Sequence, residues 1–162
     1  MPMARSHIAN LLRSILHNIG VVLVGFGVAL LGRRIDSLLA IRSLASGYAT
    51  AAGCLLLIAG FLLRTWAAFY FYEHRMKVIS LQPQQALITS GPYRVSRNPL
   101  YLGGNVFIFF GAALVLGSPA ALALTAMHLP LIDLFIRREE RQLAAQFGDA
   151  WVRYSSRVRR WI

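Results

Sequence analysis

The sequence predicts an all-α, integral-membrane helical bundle of about four transmembrane helices, with a cytosolic cap from loop two and an amphipathic C-terminal tail. Hydropathy is the first reason. The 162 residues are 57% hydrophobic and 14% charged, and a mean hydropathy of +0.55 is too high for a domain that must face water on all sides. Segmentation is the second, because the apolar residues gather into four runs that approach or exceed the ~20 helical residues needed to cross a hydrocarbon core. Charge placement is the third. The net charge of +11 comes almost wholly from arginine, with Lys77 the sole lysine, and the basic residues flank the apolar runs as they do at cytoplasmic edges facing anionic lipid. Arginines placed this way, rather than along one soluble face, argue against nucleic acid as a partner.

The first run covers about residues 17–31 and ends at Gly32-Arg33-Arg34; it reaches span length only if residues from Leu11 onward are counted. Arg5 and Arg13 ahead of an apolar core also suit a secretory signal peptide, but no small-x-small cleavage site follows before Arg33, so an uncleaved span is expected. The second run, about residues 46–72, is longer than a bilayer requires and should tilt or project beyond it. Trp66, Tyr70 and Tyr72 near its end suit an interfacial aromatic belt. Arg64, late in the same run, is either functional or a side chain snorkelling to the interface. The single cysteine, Cys54, makes no intrachain disulfide and reads as a packed small hydrophobe. The third and fourth runs, about residues 100–116 and 120–136, are separated only by Gly117-Ser118-Pro119. So short a turn makes an antiparallel hairpin with both charged ends on one side.

Loop one carries Arg33, Arg34 and Arg42; loop two carries Arg75, Lys77, Arg94 and Arg97; loop three carries none, and the tail has seven arginines between Arg137 and Arg160. Four spans with both termini in the cytoplasm satisfy the positive-inside rule best, so loop two and the tail should share the cytosolic face. Residues 138–147 read as a continuation of the fourth helix, with Leu143 and Phe147 four apart and Gly148 as the stop. Beyond it Trp151, Tyr154, Val158, Trp161 and Ile162 alternate with arginines, which suits a segment lying against headgroups. Asp133, four residues before Arg137, is spaced for a helical ion pair. No repeat or second domain is visible, so residues 1–162 read as one domain. His7, His17, His74 and His128 show no metal-ligand spacing, and no metal is expected.

Polar residues with chemical potential concentrate in two places. Residues 91–101 read Gly-Pro-Tyr-Arg-Val-Ser-Arg-Asn-Pro-Leu-Tyr, at the mouth of the third run, and residues 137–141 read Arg-Arg-Glu-Glu-Arg, the only adjoining carboxylates in the chain. The hairpin places both at one membrane edge, which suggests one site. Tyr93 to Tyr101, followed by Glu139-Glu140, Leu143, Phe147-Gly148 and Tyr154, resembles the C-terminal core of the isoprenylcysteine carboxyl methyltransferase and phospholipid methyltransferase superfamily. The resemblance covers roughly residues 60–160, and the two-part motif is far more specific than either half. One position departs from it, because Asn98 stands where the family often has histidine.

The resemblance implies methyl transfer from S-adenosyl-L-methionine to a lipophilic acceptor among membrane lipids, with cofactor contacts from Tyr93, Asn98, Pro99, Leu100 and Tyr101. Gln85, Ala86, Leu87 and Ile88 occupy the family's position for backbone contacts, and Glu139 matches its cofactor-binding glutamate. Asn98 or Arg97 would donate to the cofactor carboxylate. Arginine holds carboxylate or phosphate bidentately, which makes Arg97 and Arg138 the candidates near the acceptor, with Glu140 beside them. Each has an ordinary competitor: the arginines as headgroup anchors, the tyrosines as belt aromatics, Pro99 as a helix start and Gly103-Gly104 as close-packing positions. Two other classes also fit the sequence: a non-catalytic relative that keeps the fold, and a membrane reductase related to sterol reductases.

Overall fold

A computed structural model describes residues 2–76, 78 and 85–162, with side chains from residue 6 onward. Among the described residues all regular structure is helical. Helix α1 runs Pro2–Leu38 and α2 Gly47–Glu73. A 3-10 turn, Gly91–Arg94, precedes α3, Pro99–Val115, which is a π-helix over Leu102–Ile108. Helix α4 is Pro119–Phe147, followed by a short α5, Asp149–Ser155. α1, α2 and α4 are long and apolar enough to cross a membrane, while α3 is a shorter apolar helix.

Local chemistry explains the boundaries. Ser46 and Ser118 cap α2 and α4, their hydroxyls accepting from the amides of Ala49 at 3.1 Å and Ala121 at 3.0 Å, which satisfies donors that a helix start leaves unpaired. Gly148, at φ +49°, ends α4, as the glycine was expected to. The continuation of the fourth run to Phe147 is likewise as expected. α1, however, starts near the N-terminus instead of around residue 17. Its polar first turns hold on to the end of α2, where Asn10 donates to Glu73 at 2.6 Å and His7 meets the same carboxylate at 2.8 Å.

The two ends of the bundle differ. At one, the α1–α2 and α3–α4 connections interlock: the Asp36 carboxylate accepts from the Ser118 hydroxyl and, at 3.0 Å, from the Ala120 amide. There Leu44 N–H and the Ser43 hydroxyl both donate to the Gly117 carbonyl. At the other end lie the start of α1, residues 74–76 and 85–98, and the tail.

Glycines hold α2 against α3. A Cβ on Gly60 would fall 2.6 Å from the Gly103 carbonyl oxygen, and one on Gly53 2.7 Å from that of Gly111. The two glycines are seven residues apart on α2 and eight on α3; the wider π turns of α3 take up the extra residue and keep both crossings in register. Gly103 thus fills the close-packing role expected of it. Cys54 does not, because it lies on the exposed face of α2 rather than packed inside.

Candidate functional site

Unequal helix lengths create the site. α3 is about 25 Å long at 1.5 Å per residue, whereas α2 and α4 each exceed 40 Å. The start of α3 is therefore recessed between two longer neighbours, and Pro99, whose fixed φ suits a first helical turn, sets it there. A cavity of about 250 Å³ occupies the recess, lined by Arg64 and Phe71 of α2, Val78, Tyr93, Arg97 and Asn98, by Pro99, Leu100, Tyr101 and Asn105 of α3, and by Glu139 of α4. A second chamber of about 30 Å³ adjoins it through the shared residues Phe71, Tyr93, Arg97, Asn98 and Glu139, and adds Leu87, Ile88, Glu140, Leu143, Trp151 and Tyr154.

The hairpin thus brings the two sequence clusters together. The Tyr101 hydroxyl donates to Glu139 Oε1 at 3.1 Å, joining α3 to α4 across the cavity. Glu139 presents its carboxylate to the same space. Glu140, one residue on, is held differently: Arg160 donates to its Oε2 from Nη2 at 2.6 Å and from Nε at 3.1 Å, and Arg97 Nη2 lies 3.2 Å from Oε1. Held between two guanidiniums, Glu140 ties Arg97 to the tail. The expected ion pair of Asp133 with Arg137 forms, Oδ2 to Nε at 2.6 Å.

Two aromatic residues of the tail turn inward. Trp151 and Tyr154 are buried, and both line the second chamber. The Arg97 guanidinium sits 5.6 Å from the Trp151 ring centroid, within cation–π range. The Tyr154 hydroxyl donates to the Tyr93 carbonyl at 2.8 Å, and burial pushes the phenol up to about 12, which keeps it a donor. The chain beyond α5 is strapped back over the motif: Arg97 N–H donates to the Arg159 carbonyl at 3.0 Å, and Ser96 and Asn98 both donate to the Arg160 carbonyl. The Asn98 amide donor expected to face a cofactor carboxylate therefore holds the tail.

Other placements depart from expectation. Arg138 is exposed on α4 and lines neither chamber, because it lies on a different face of the helix from Glu139. Of the four residues expected to offer backbone contacts, Leu87 and Ile88 line the second chamber, while the Gln85 side chain is exposed and Ala86 packs on the cluster of Phe71, Met76, Ile88 and Tyr93. Arg64 does not snorkel. It is 9% exposed and turns inward, donating to the Leu100 carbonyl at 2.6 Å and meeting His17 Nε2 at 3.2 Å. Asn105 was not anticipated; its Oδ1 lies 3.1 Å from Nε2 of His128, whose Nδ1 meets the Thr125 carbonyl at 2.7 Å. Its polarity inside an otherwise apolar run was the one available signal. Three buried donors at the cavity, the Tyr93 hydroxyl and the Nε groups of Arg64 and Arg97, have no hydrogen-bond partner among the described residues. Burial pushes the Tyr93 phenol well above its ordinary value.

A membrane-spanning helical bundle with a recessed pocket of unsatisfied donors, one carboxylate and aromatic walls is an integral-membrane protein built to hold a polar ligand at one membrane edge. Residues 48–150 match the family model of phospholipid methyltransferase, and the chain belongs to that family. Over 122 residues it is 33% identical to the protein-S-isoprenylcysteine O-methyltransferase of Saccharomyces cerevisiae, an alignment that takes in 72% of this chain. The chain spans about half the length of that relative, 49% of which is covered. No solved structure matches the chain.

Proposed function

We propose that this protein transfers a methyl group from S-adenosyl-L-methionine to a lipophilic or amphipathic acceptor, a carboxylate like that of an isoprenylcysteine or a phospholipid headgroup. The observation that carries this reading is the meeting of Tyr93, Arg97, Asn98 and Tyr101 with Glu139 around one cavity. The donor set fits the cofactor. The partnerless Tyr93 hydroxyl and Arg97 Nε suit its carboxylate and hydroxyl oxygens, Glu139 suits an ammonium or a ribose diol, and Phe71 and Tyr93 supply aromatic wall. When bound, it would supply an electrophilic methyl group on a sulfonium.

The residues of this chain contribute alignment and dryness, the two things an in-line displacement gains most from. Glu139, fixed by Tyr101, sets the orientation of the cationic ligand. Trp151 and Tyr154 cover the pocket on the water side. A carboxylate acceptor arrives ionised at neutral pH and needs no general base, so the clamped state of Glu140 is no obstacle. The pocket end faces the cytosol in this reading, because thirteen basic residues lie in the N-terminal segment, loop two and the tail against three in loop one.

Calorimetric titration of the purified full chain with S-adenosyl-L-methionine tests the proposal. Micromolar binding is expected, and no heat at millimolar cofactor would remove the methyltransferase reading.

A further inference from the structure

Arg64 carries a charge that the bundle does not neutralise. It sits in α2 nine residues before the helix ends at Glu73, about 13 Å along the axis into the span. Its two terminal nitrogens reach a backbone carbonyl and an imidazole, its Nε has no partner, and among the described residues no carboxylate lies within ion-pair distance. A buried cation without a counter-ion costs several kcal/mol, and such residues inside a membrane span are there for a ligand or a pathway. The neighbourhood is shaped around it. A Cβ on Gly104 would lie 3.0 Å from Arg64 Nη1, so glycine there leaves the guanidinium its room.

We infer that Arg64 is the anion-binding residue for the methyl acceptor, receiving the carboxylate or phosphate of an amphipathic molecule that enters from the membrane. This rests on the methyltransferase reading and assigns the two parts of its pocket. Arg64 and Asn105 line the large cavity only. Glu139 stands where the large cavity meets the smaller chamber and lines both, together with Tyr93, Arg97 and Asn98, whereas the smaller chamber does not include Arg64. A net-cationic cofactor belongs on the carboxylate side, and a lipid-borne anion on the side of the buried guanidinium. Arginine's planar fork offers Nε and Nη2 together to two oxygens, and Nε is the unpartnered atom.

The test uses the full chain in detergent and two pairs of probes. N-acetyl-S-farnesylcysteine is compared with its neutral amide, and phosphatidylethanolamine with a diacylglycerol of the same chains; binding is read by equilibrium dialysis, alongside calorimetry with S-adenosyl-L-methionine. The wild type should prefer the carboxylate- or phosphate-bearing member of one pair by about tenfold or more, the scale of one charge-assisted bidentate contact. The pair that discriminates identifies carboxylate or phosphate. Arg64→Gln should abolish the preference and leave cofactor affinity within about twofold of wild type; Arg64→Lys, which keeps the charge, should retain part of it. Equal binding of the two members of both pairs by the wild type overturns the inference without any variant, so a misfolded Arg64→Gln does not shield it. Loss of cofactor affinity with the anion preference intact also overturns it, assigning Arg64 to the cofactor carboxylate. Failure of the cofactor to bind the wild type is a separate result and counts against the methyltransferase reading instead.

Discussion

The two ends of the bundle solve the same problem, returning the chain to the membrane, in opposite ways. At the Asp36 end the polar groups are paired at short range: Asp36 takes the Ser118 hydroxyl and the Ala120 amide, and the Gly117 carbonyl takes two donors. At the Arg97 end the groups are more numerous and several donors remain unpartnered. Complete satisfaction marks the end that holds the bundle, and incomplete satisfaction marks the end that holds something else.

The contrast can be broken from either side. Asp36→Ala should give the largest effect, about 3 kcal/mol of lost stability from two hydrogen bonds to a buried charged acceptor, seen as a lower midpoint of thermal unfolding in detergent. Cofactor affinity per folded molecule should not change; if it falls as well, the two ends are coupled and the comparison fails. Glu139→Gln acts at the other end and should weaken cofactor binding by at least about tenfold, roughly 1.4 kcal/mol, with the protein still folded and inserted. Unchanged affinity would take Glu139 out of the pocket. Tyr154→Phe removes the donor to the Tyr93 carbonyl and should cost about 1 kcal/mol, read as earlier proteolysis of residues beyond Gly148. Asn98→His should have the smallest effect, preserving or improving cofactor binding, since imidazole can also donate to the Arg160 carbonyl. Complete loss with intact folding would mean that the site is organised differently from its relatives.

The fold was legible because it is written in hydropathy and punctuation: Gly117-Ser118-Pro119 makes the hairpin, and Gly148 stops α4 where its position says it should. The start of α1 was not, because His7 and Asn10 are polar and only their contact with Glu73 explains why a helix continues there. In the site, residues 93–101 and 139 were legible as a local pattern. Arg160 and Trp151 were not, since they meet the motif across long stretches of sequence, and composition alone left them on the surface. Arg138 was singled out for the fit of a guanidinium to carboxylate or phosphate, a property of residue type that carries no direction; neighbouring residues on a helix point about 100° apart, and Arg138 lies on a different face from Glu139. Arg64 stood between two readings that sequence cannot separate, and the inward direction of its side chain removes the snorkelling one.

The seams between helices carry a consequence for traffic. Between α2 and α3 the backbones meet at Gly60 with Gly103 and at Gly53 with Gly111, too close for a hydrocarbon chain to pass. Between α3 and α4 the cavity is bridged by two side-chain contacts, Tyr101 with Glu139 and Asn105 with His128. The first seam is closed by backbone, whereas the second is held by polar side chains that a ligand with its own donors and acceptors can replace. On the proposed reading, an amphipathic acceptor would reach the cavity, and leave it, along α4.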